Sequence, residues 1–279
     1  MKKPYVISAE LDLANSATKN IVQTNKVDAF RESLDTDLRK LGKNTLWIAS
    51  QYLQQGIQAA LDQSRLPTVS LDDRYITSAD KSIGISRGVD QQLNDSGYTP
   101  RVGYPDVSSQ LNAIASLGRE VAVADDVLFS GEMASWLSDE LARRNVKIGT
   151  VICGIAIGEG IEKLLALGID VQAVQAFDDV EDELCERDFA VVPGSGRRIV
   201  NRDMNALYFD PNFGKPSAWA SIPDAAVNQF AAKSYVRSAN ILQPGLLMAD
   251  IGDFYGIKQG SATQTVLDRA RQLEQRISS

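Results

Sequence analysis

VAVADDVLFSGEMASWL, residues 121–137, decides how the fold is read. An apolar run ends in two adjacent aspartates, a short Ser-Gly turn follows, and the next stretch has helical spacing. Val121 and Val123, with the alanines beside them, fit a strand buried in a parallel sheet. Met133, Trp136, Leu137 and Leu141 fall on one side of a helix. The turn Val127–Gly131 is therefore expected at the carboxyl end of a parallel strand, where open α/β sheets hold ligands. A helix N-terminus there offers free amides and the positive end of a macrodipole. Ser130 can cap or donate its hydroxyl, and Gly131 lets an anion approach the backbone closely. Two carboxylates next to an anion site make sense if the ligand carries hydroxyls beside its phosphate. Carboxylates accept from a diol while amides hold the phosphate, and Mg²⁺ can bridge to a second phosphate group. The reading is a sugar-phosphate site: Asp125 and Asp126 on the diol and the metal, Val127, Leu128, Phe129, Ser130 and Gly131 on the phosphate.

The flanking segments extend this unit in both directions. A helix is expected over 107–117, a strand over 120–124, a helix over 132–144, a strand over 147–157, a helix over 159–167 and a strand over 170–177. This alternation predicts a parallel sheet with right-handed crossovers. Upstream, 4–13 reads as a strand and 26–42 as a helix, with Gly42 as its stop. Residues 45–63 read as a short strand or buried helix followed by a helix, and 74–87 as one or two strands. The polar, Gly- and Asp-rich stretch 88–106 reads as a long loop. Downstream come the acidic run 178–188, a short strand over 189–192, a Gly-Ser-Gly turn before Arg197, an aromatic loop over 208–223, and helices near 224–240 and 262–278.

The order of these features resembles that of type I phosphoribosyltransferases. Four mostly apolar residues, two acidic residues, two apolar residues and then Ser/Thr-Gly form that family's phosphoribosyl-pyrophosphate motif, here V-A-V-A-D-D-V-L-F-S-G. The resemblance covers roughly residues 74–200. It implies an α/β fold with a central, mostly parallel sheet and flanking helices, carrying N- and C-terminal additions. It also implies Mg²⁺-dependent displacement of pyrophosphate from ribose 5-phosphate by a nitrogenous base or another acceptor. Lys81, Arg87 and Arg101 flank the expected catalytic loop, where cations stabilise a pyrophosphate leaving group. Arg87 is the preferred catalytic cation, alongside Asp125 and Asp126. Arg197 follows a Gly-Ser-Gly turn suited to an anion. The chain departs from the pattern at Phe129, where some members carry an acid, at Glu132 and Met133, and in lacking a clear Gly-rich loop before residue 74. A non-catalytic sensor of a nucleotide or sugar phosphate, or a defence-system component, is the alternative. The expected division is an N-terminal α/β extension over 1–73, the core over 74–200, and a C-terminal hood and helical segment over 201–279.

Composition narrows the chemistry. None of the 279 residues is a histidine, which removes the commonest general base and the commonest transition-metal ligand. A Ser-His-Asp triad is excluded. Two cysteines, Cys153 and Cys185, exclude a disulfide framework and make a cytoplasmic location the expectation. The net charge of −7 argues against a surface that coats nucleic acid, while leaving room for a local basic patch. No run is long enough to span a bilayer, so no membrane partner is expected. The expected partners are phosphoribosyl pyrophosphate and an unidentified acceptor, with a homo-oligomer or a partner-protein complex left open. ISAELDLANS, 7–16, resembles the Asp-x-Asp loop of haloacid-dehalogenase-like phosphatases only with Glu10 in place of the first aspartate, and is set aside.

Overall fold

The computed structural model describes residues 2–13, 20–202, 204–251 and 260–278. Residues 14–16 of the phosphatase-like stretch lie outside them. In chain order the elements are β1 (Tyr5–Ala9), α1 (Val27–Lys40), β2 (Thr45–Ala49), α2 (Ser50–Gln63), β3 (Thr68–Ser70), β4 (Lys81–Ser82), β5 (Ile85–Val89) and β6 (Asp95–Pro100). They continue with α3 (Val107–Ala115), β7 (Glu120–Leu128), α4 (Glu132–Ala142), β8 (Lys147–Ile157), α5 (Gly158–Ala166), β9 (Asp170–Phe177) and β10 (Asp182–Cys185). The last are β11 (Arg197–Ile199), β12 (Asn205–Ala206), α6 (Pro216–Trp219), α7 (Val227–Ile241) and α8 (Ala262–Ser278). The chain forms two compact units: Met1–Trp47, Arg87–Gly97 and Glu181–Ser279 make one, Ile48–Ser86 and Tyr98–Val180 the other. These cuts fall elsewhere than the expected 73/74 and 200/201. Pairing in space, not composition along the chain, sets them: β1 and β10 are parallel neighbours although 175 or so residues separate them.

The second unit carries a five-stranded sheet in the order β4-β3-β7-β8-β9, and every adjacent pair is parallel. Val121 and Val123 of β7 share a core with Ile148, Val151 and Cys153 of β8. Leu111 and Ile114 of α3, Leu137 and Leu141 of α4 and Leu164 of α5 close that core on one face. On the opposite face lies α2. A Cβ on its Gly56 would sit 2.5 Å from the Val174 methyls, and one on Gly154 would sit 3.4 Å from Ile57. The result is an α/β layer fold with a parallel central sheet and flanking helices, as expected. Strand order reverses between β3 and β7. The chain leaves β3 outward to the β4 edge, then returns to β7 and proceeds the other way. Such a switch point opens a crevice at the carboxyl ends of the two strands.

The first unit sets β10-β1-β2 against α1, α7 and α8 through Tyr5, Ile7, Phe30, Leu34, Phe230, Tyr235 and Leu273. Glu10, at the end of β1, is fully buried and pairs with Arg187. Glu186 is equally buried, accepts the Glu10 and Leu11 amides at 2.9 and 3.0 Å and binds Arg31 at 2.8 Å. Burial raises the Glu186 carboxyl above its ordinary range, and Arg31 opposes the rise.

Several local expectations change. The stretch 88–106 is not one loop: β5 and β6 occupy 85–89 and 95–100 and lie side by side. The carboxylate of Asp90 holds their turn by accepting the Gln92 and Asn94 amides. The acidic run 178–188 contains β10, and 189–192 is not a strand. Most important, β7 does not end at Ala124 but runs through both aspartates to Leu128.

Candidate functional site

The strand extension alters how the Asp-Asp stretch is built. Asp125 stands opposite Cys153, Val127 opposite Ile155 and Leu128 opposite Ala156 in the β7–β8 ladder. Val121, Val123 and Leu128 belong to the same core, and the irregularity of the ladder falls earlier, between Val121 and Ala122. Gly154 lets this part of the two strands approach closely, since a Cβ there would lie 2.8 Å from the Asp126 carbonyl oxygen. Each carboxylate folds back on the chain: Asp125 accepts the Asp126 N–H at 3.0 Å and Asp126 accepts the Val127 N–H at 2.9 Å. The Val127 amide is thus already engaged, and Val127 and Leu128 are strand residues. The turn proper is Phe129, Ser130 and Gly131.

That turn delivers the chain to α4. Gly131, at φ +71°, takes the left-handed conformation that carries no penalty for glycine. No side chain caps α4. Among the described residues, the N–H groups of Ser130, Gly131, Glu132, Met133 and Ala134 meet no acceptor, and the first helical bond is Ser135 N–H to Gly131 O at 2.9 Å. These donors lie at the positive end of the α4 dipole, a ready anion site. Exposed Glu132 and Glu159 stand in the first turns of α4 and α5. The turn rests on α5: a Cβ on Gly160 would lie 2.4 Å from the Phe129 carbonyl oxygen and 3.2 Å from the Gly131 nitrogen. The aliphatic stem of Lys163 passes Gly131, its Cδ lying 3.3 Å from where a Gly131 Cβ would be.

Across the switch point, the loop after β3 supplies a third carboxylate. Asp72 is buried and accepts the Arg74 and Tyr75 amides at 2.9 and 2.6 Å. The Leu71 amide donates to Ala124 O at 2.8 Å, which ties this loop to β7 just before Asp125. Asp125 responds to its surroundings. Burial first, then the charges of Asp126 and Asp72, push its carboxyl well above the usual range, and Arg101 pulls in the opposite direction. The two aspartyl side chains also share a hydrogen bond. The same pair, with burial as the larger cause, pushes the Cys153 thiol up to about 12. Tyr104 belongs to this neighbourhood. Its ring fills the space a Gly84 Cβ would take, its hydroxyl lies 3.5 Å from Asp73, and burial and Asp73 raise its pKa.

The anticipated residues fall in both units. Asp125, Asp126, Phe129, Ser130, Gly131 and Arg101 gather at the carboxyl end of β7. Lys81 pairs with Val69, which pairs with Val123, so it stands two strand spacings, about 10 Å, to the side, on the exposed edge. Arg87 and Arg197 belong to the other unit, where both act on the Tyr208 phenol. There the Arg197 guanidinium stacks 4.4 Å from the Trp219 ring and 5.3 Å from that of Tyr208. Asp72, Tyr104, Gly160 and Lys163 were not anticipated. Asp72 had a signal: TVSLDDR repeats the strand-then-Asp-Asp pattern of VAVADDV. Gly160 had none beyond being a glycine at a helix start.

No protein-family model matches the chain, and no curated protein matches it. Among solved structures, the chain is similar to UMP synthase from Leishmania donovani, with 12% identity and a TM-score of 0.29 over 46% of this chain, but only 27% of that one. Orotate phosphoribosyltransferase from Aeropyrum pernix is 15% identical, with a TM-score of 0.26 over 53% of this chain and 71% of that one. Purine phosphoribosyltransferase from Pyrococcus horikoshii Ot3 is 11% identical, with a TM-score of 0.29 over 55% of this chain and 95% of that one. At such TM-scores these likenesses decide nothing about the chemistry, and the fold class rests on the parallel five-stranded sheet itself.

Proposed function

We infer that this crevice binds a phosphorylated sugar with its diol on Asp125 and Asp126 and its phosphate on the Phe129–Gly131 turn, and that the ligand is phosphoribosyl pyrophosphate. The observation that carries the reading is the meeting, at one switch point, of paired carboxylates and an uncapped helix N-terminus across a three-residue turn. The donor set fits Mg²⁺: Asp125, Asp126 and Asp72 offer hard oxygens, and a cation would offset both the burial and, after it, the neighbouring charges that raise the Asp125 carboxyl. Asp125 and Asp126 would hold the ion, which when bound supplies positive charge against the phosphates. The protein's own groups do the rest. The carboxylates accept from the sugar hydroxyls, the turn amides fix the phosphate, and Arg101 offers positive charge to a departing pyrophosphate. In the transfer the bond from sugar C1 to the pyrophosphate oxygen breaks, pyrophosphate leaves with the electron pair, and the acceptor nucleophile, a nitrogenous base or another group, bonds to C1.

A non-catalytic sensor is the second reading. Phe129 puts no acid in the turn, and Glu132 and Glu159 already complement both helix starts. Titration with phosphoribosyl pyrophosphate and Mg²⁺, followed by single-turnover detection of pyrophosphate, separates the two. Release supports the transferase, and binding without release supports the sensor. Full binding retained by Asp125→Ala and Asp126→Ala would remove the site assignment altogether.

A further inference from the structure

The first unit carries a second, unrelated feature. Lys2, Arg39, Gly42, Lys43 and Asn44 line a cavity of about 520 Å³, and no carboxylate is among its lining residues. Two separate pieces of chain converge there: the segment before β1, and the end of α1 with the turn that leads from it into β2. The geometry is fixed by the α1 stop. Gly42, at φ +82°, lets the Lys43 N–H reach Leu38 O at 3.0 Å and its own N–H reach Arg39 O at 2.9 Å, a Schellman closure. Lys2 Nζ donates to Gly42 O at 2.7 Å, and Asn44 O accepts the Tyr5 N–H at 2.8 Å, which pins the entering segment against the turn.

Each cation is anchored on one side only. Arg39 Nε binds Asp35 at 2.6 Å, Nη2 reaches Thr45 O at 3.4 Å, and Nη1 has no acceptor among the described residues. Lys43 Nζ binds Glu181 at 2.5 Å and lies over the Tyr5 ring. Lys2 and Lys43 each make one such bond among the described residues, and an ammonium carries three N–H donors. The dipole of α1 accounts for cations near its carboxyl end. It does not account for Lys2, which a separate piece of chain brings to the same hollow as Arg39 and Lys43, on a chain whose net charge is −7.

We propose that this cavity is a binding site for a compact phosphate-bearing polyanion, held by Lys2, Arg39 and Lys43 and independent of the Asp125–Asp126 crevice. Convergent, partly unused N–H donors suit phosphate oxygens, and the volume admits a chain of two or three phosphoryl groups.

The test is calorimetric titration of the full chain with inorganic tripolyphosphate, in parallel with a short single-stranded oligonucleotide that presents phosphates on a polymer. The double variant Lys2→Gln/Arg39→Gln is expected to lose at least about tenfold in affinity for whichever source the cavity takes. Lys40→Gln, outside the lining, is expected to leave it unchanged, and added salt to weaken binding in the parent chain. Lys2→Gln alone removes only an exposed side chain, so a partial loss in that variant supports the proposal even if the double variant folds poorly. Asp126→Asn, in the other unit, is expected to retain the tripolyphosphate affinity. Absence of binding by the parent chain, or equal binding by Lys2→Gln, the double variant and the parent, overturns the proposal.

Discussion

Gly160→Ala tests whether the Phe129–Gly131 turn is held where a phosphate needs it. Alanine's Cβ would lie 2.4 Å from the Phe129 carbonyl oxygen and 3.0 Å from Leu128 Cγ, whereas a carbon–oxygen contact settles at about 3.3 Å or more. The turn must therefore yield by roughly 0.9 Å. Both obstacles belong to the backbone or to a buried side chain, so rotating a surface group does not relieve the contact. Overpacking of this kind costs about 1–3 kcal/mol, against a helix-propensity gain for alanine over glycine of about 1 kcal/mol. The net effect on stability is small, a few degrees or less in melting temperature for a chain of this size. Binding should suffer more. A displacement near 1 Å takes turn N–H groups out of hydrogen-bond range of a fixed phosphate. Losing two charge-assisted bonds, at about 1.5 kcal/mol each, weakens affinity roughly 100-fold. Calorimetric titration with ribose 5-phosphate in Mg²⁺ buffer reads the affinity, a thermal melt reads the fold, and Glu162→Ala on the exposed side of α5 serves as control. Wild-type affinity in Gly160→Ala, with an unchanged or raised melting temperature, would refute both the close approach and the placing of the phosphate on this turn.

Asp125→Asn should separate binding from stability. Because the folded-state carboxyl is raised above its unfolded value of 3.8, its contribution is fully present in acid and lost as pH rises through the folded pKa. The variant should thus melt higher than the parent at pH 8, match it near pH 3, and fail to bind the sugar phosphate; a uniform shift at all pH values would contradict the stated cause. The same raised carboxyl makes Mg²⁺ compete with a proton, so the apparent Mg²⁺ affinity measured by titration should fall as pH is lowered, and proton release should accompany binding. Arg31→Ala leaves the buried Glu186 charge without its guanidinium and should cost about 3–5 kcal/mol in urea unfolding. Since the Glu186 pKa is also raised by burial, that loss should be smaller in acid, where the carboxyl takes a proton, than at pH 8. Gly131→Ala, which forces a side chain to φ +71°, should destabilise by about 1–2 kcal/mol and weaken sugar-phosphate binding in the same titration.

The parallel unit was legible because its signals are local. The strands 147–157 and 170–177 were placed at their observed ends, and α3, α4 and α5 to within about two residues, since apolar periodicity and short connections dominate there. The far end of β7 was not legible. Two carboxylates look like a strand terminus, and they stay in the ladder only because each folds onto the next backbone amide and Gly154 makes room opposite. The acidic run hid β10 for a related reason: its neighbouring charges are matched by Arg31 and Lys43, some 140–155 residues away in sequence. The hairpin β5–β6 was masked by loop-type residues whose main-chain pairing does not depend on apolar side chains. At the site, the sequence identified the Asp-Asp pair and the Ser-Gly turn; the Asp-Asp of TVSLDDR carries the same local signal, but only the pairing of β3 with β7 brings Asp72 to Asp125.

The pairing of β1 with β10 has a consequence for synthesis. Every strand of the five-stranded sheet has left the ribosome once Phe177 emerges, so the second unit can fold while the rest is still being made. The first unit cannot: Tyr5 waits for Asp182, and its core waits for Leu273. At ordinary elongation rates that last stretch takes roughly 5–20 s, during which β1 has its neighbour β2 but lacks the α7 and α8 side of its core. Vectorial folding thus begins in the middle of this chain and ends by joining its two extremes, and nascent chains halted once residue 180 has cleared the ribosome should protect the Asp125–Asp126 segment from protease while leaving the amino-terminal segment open to it.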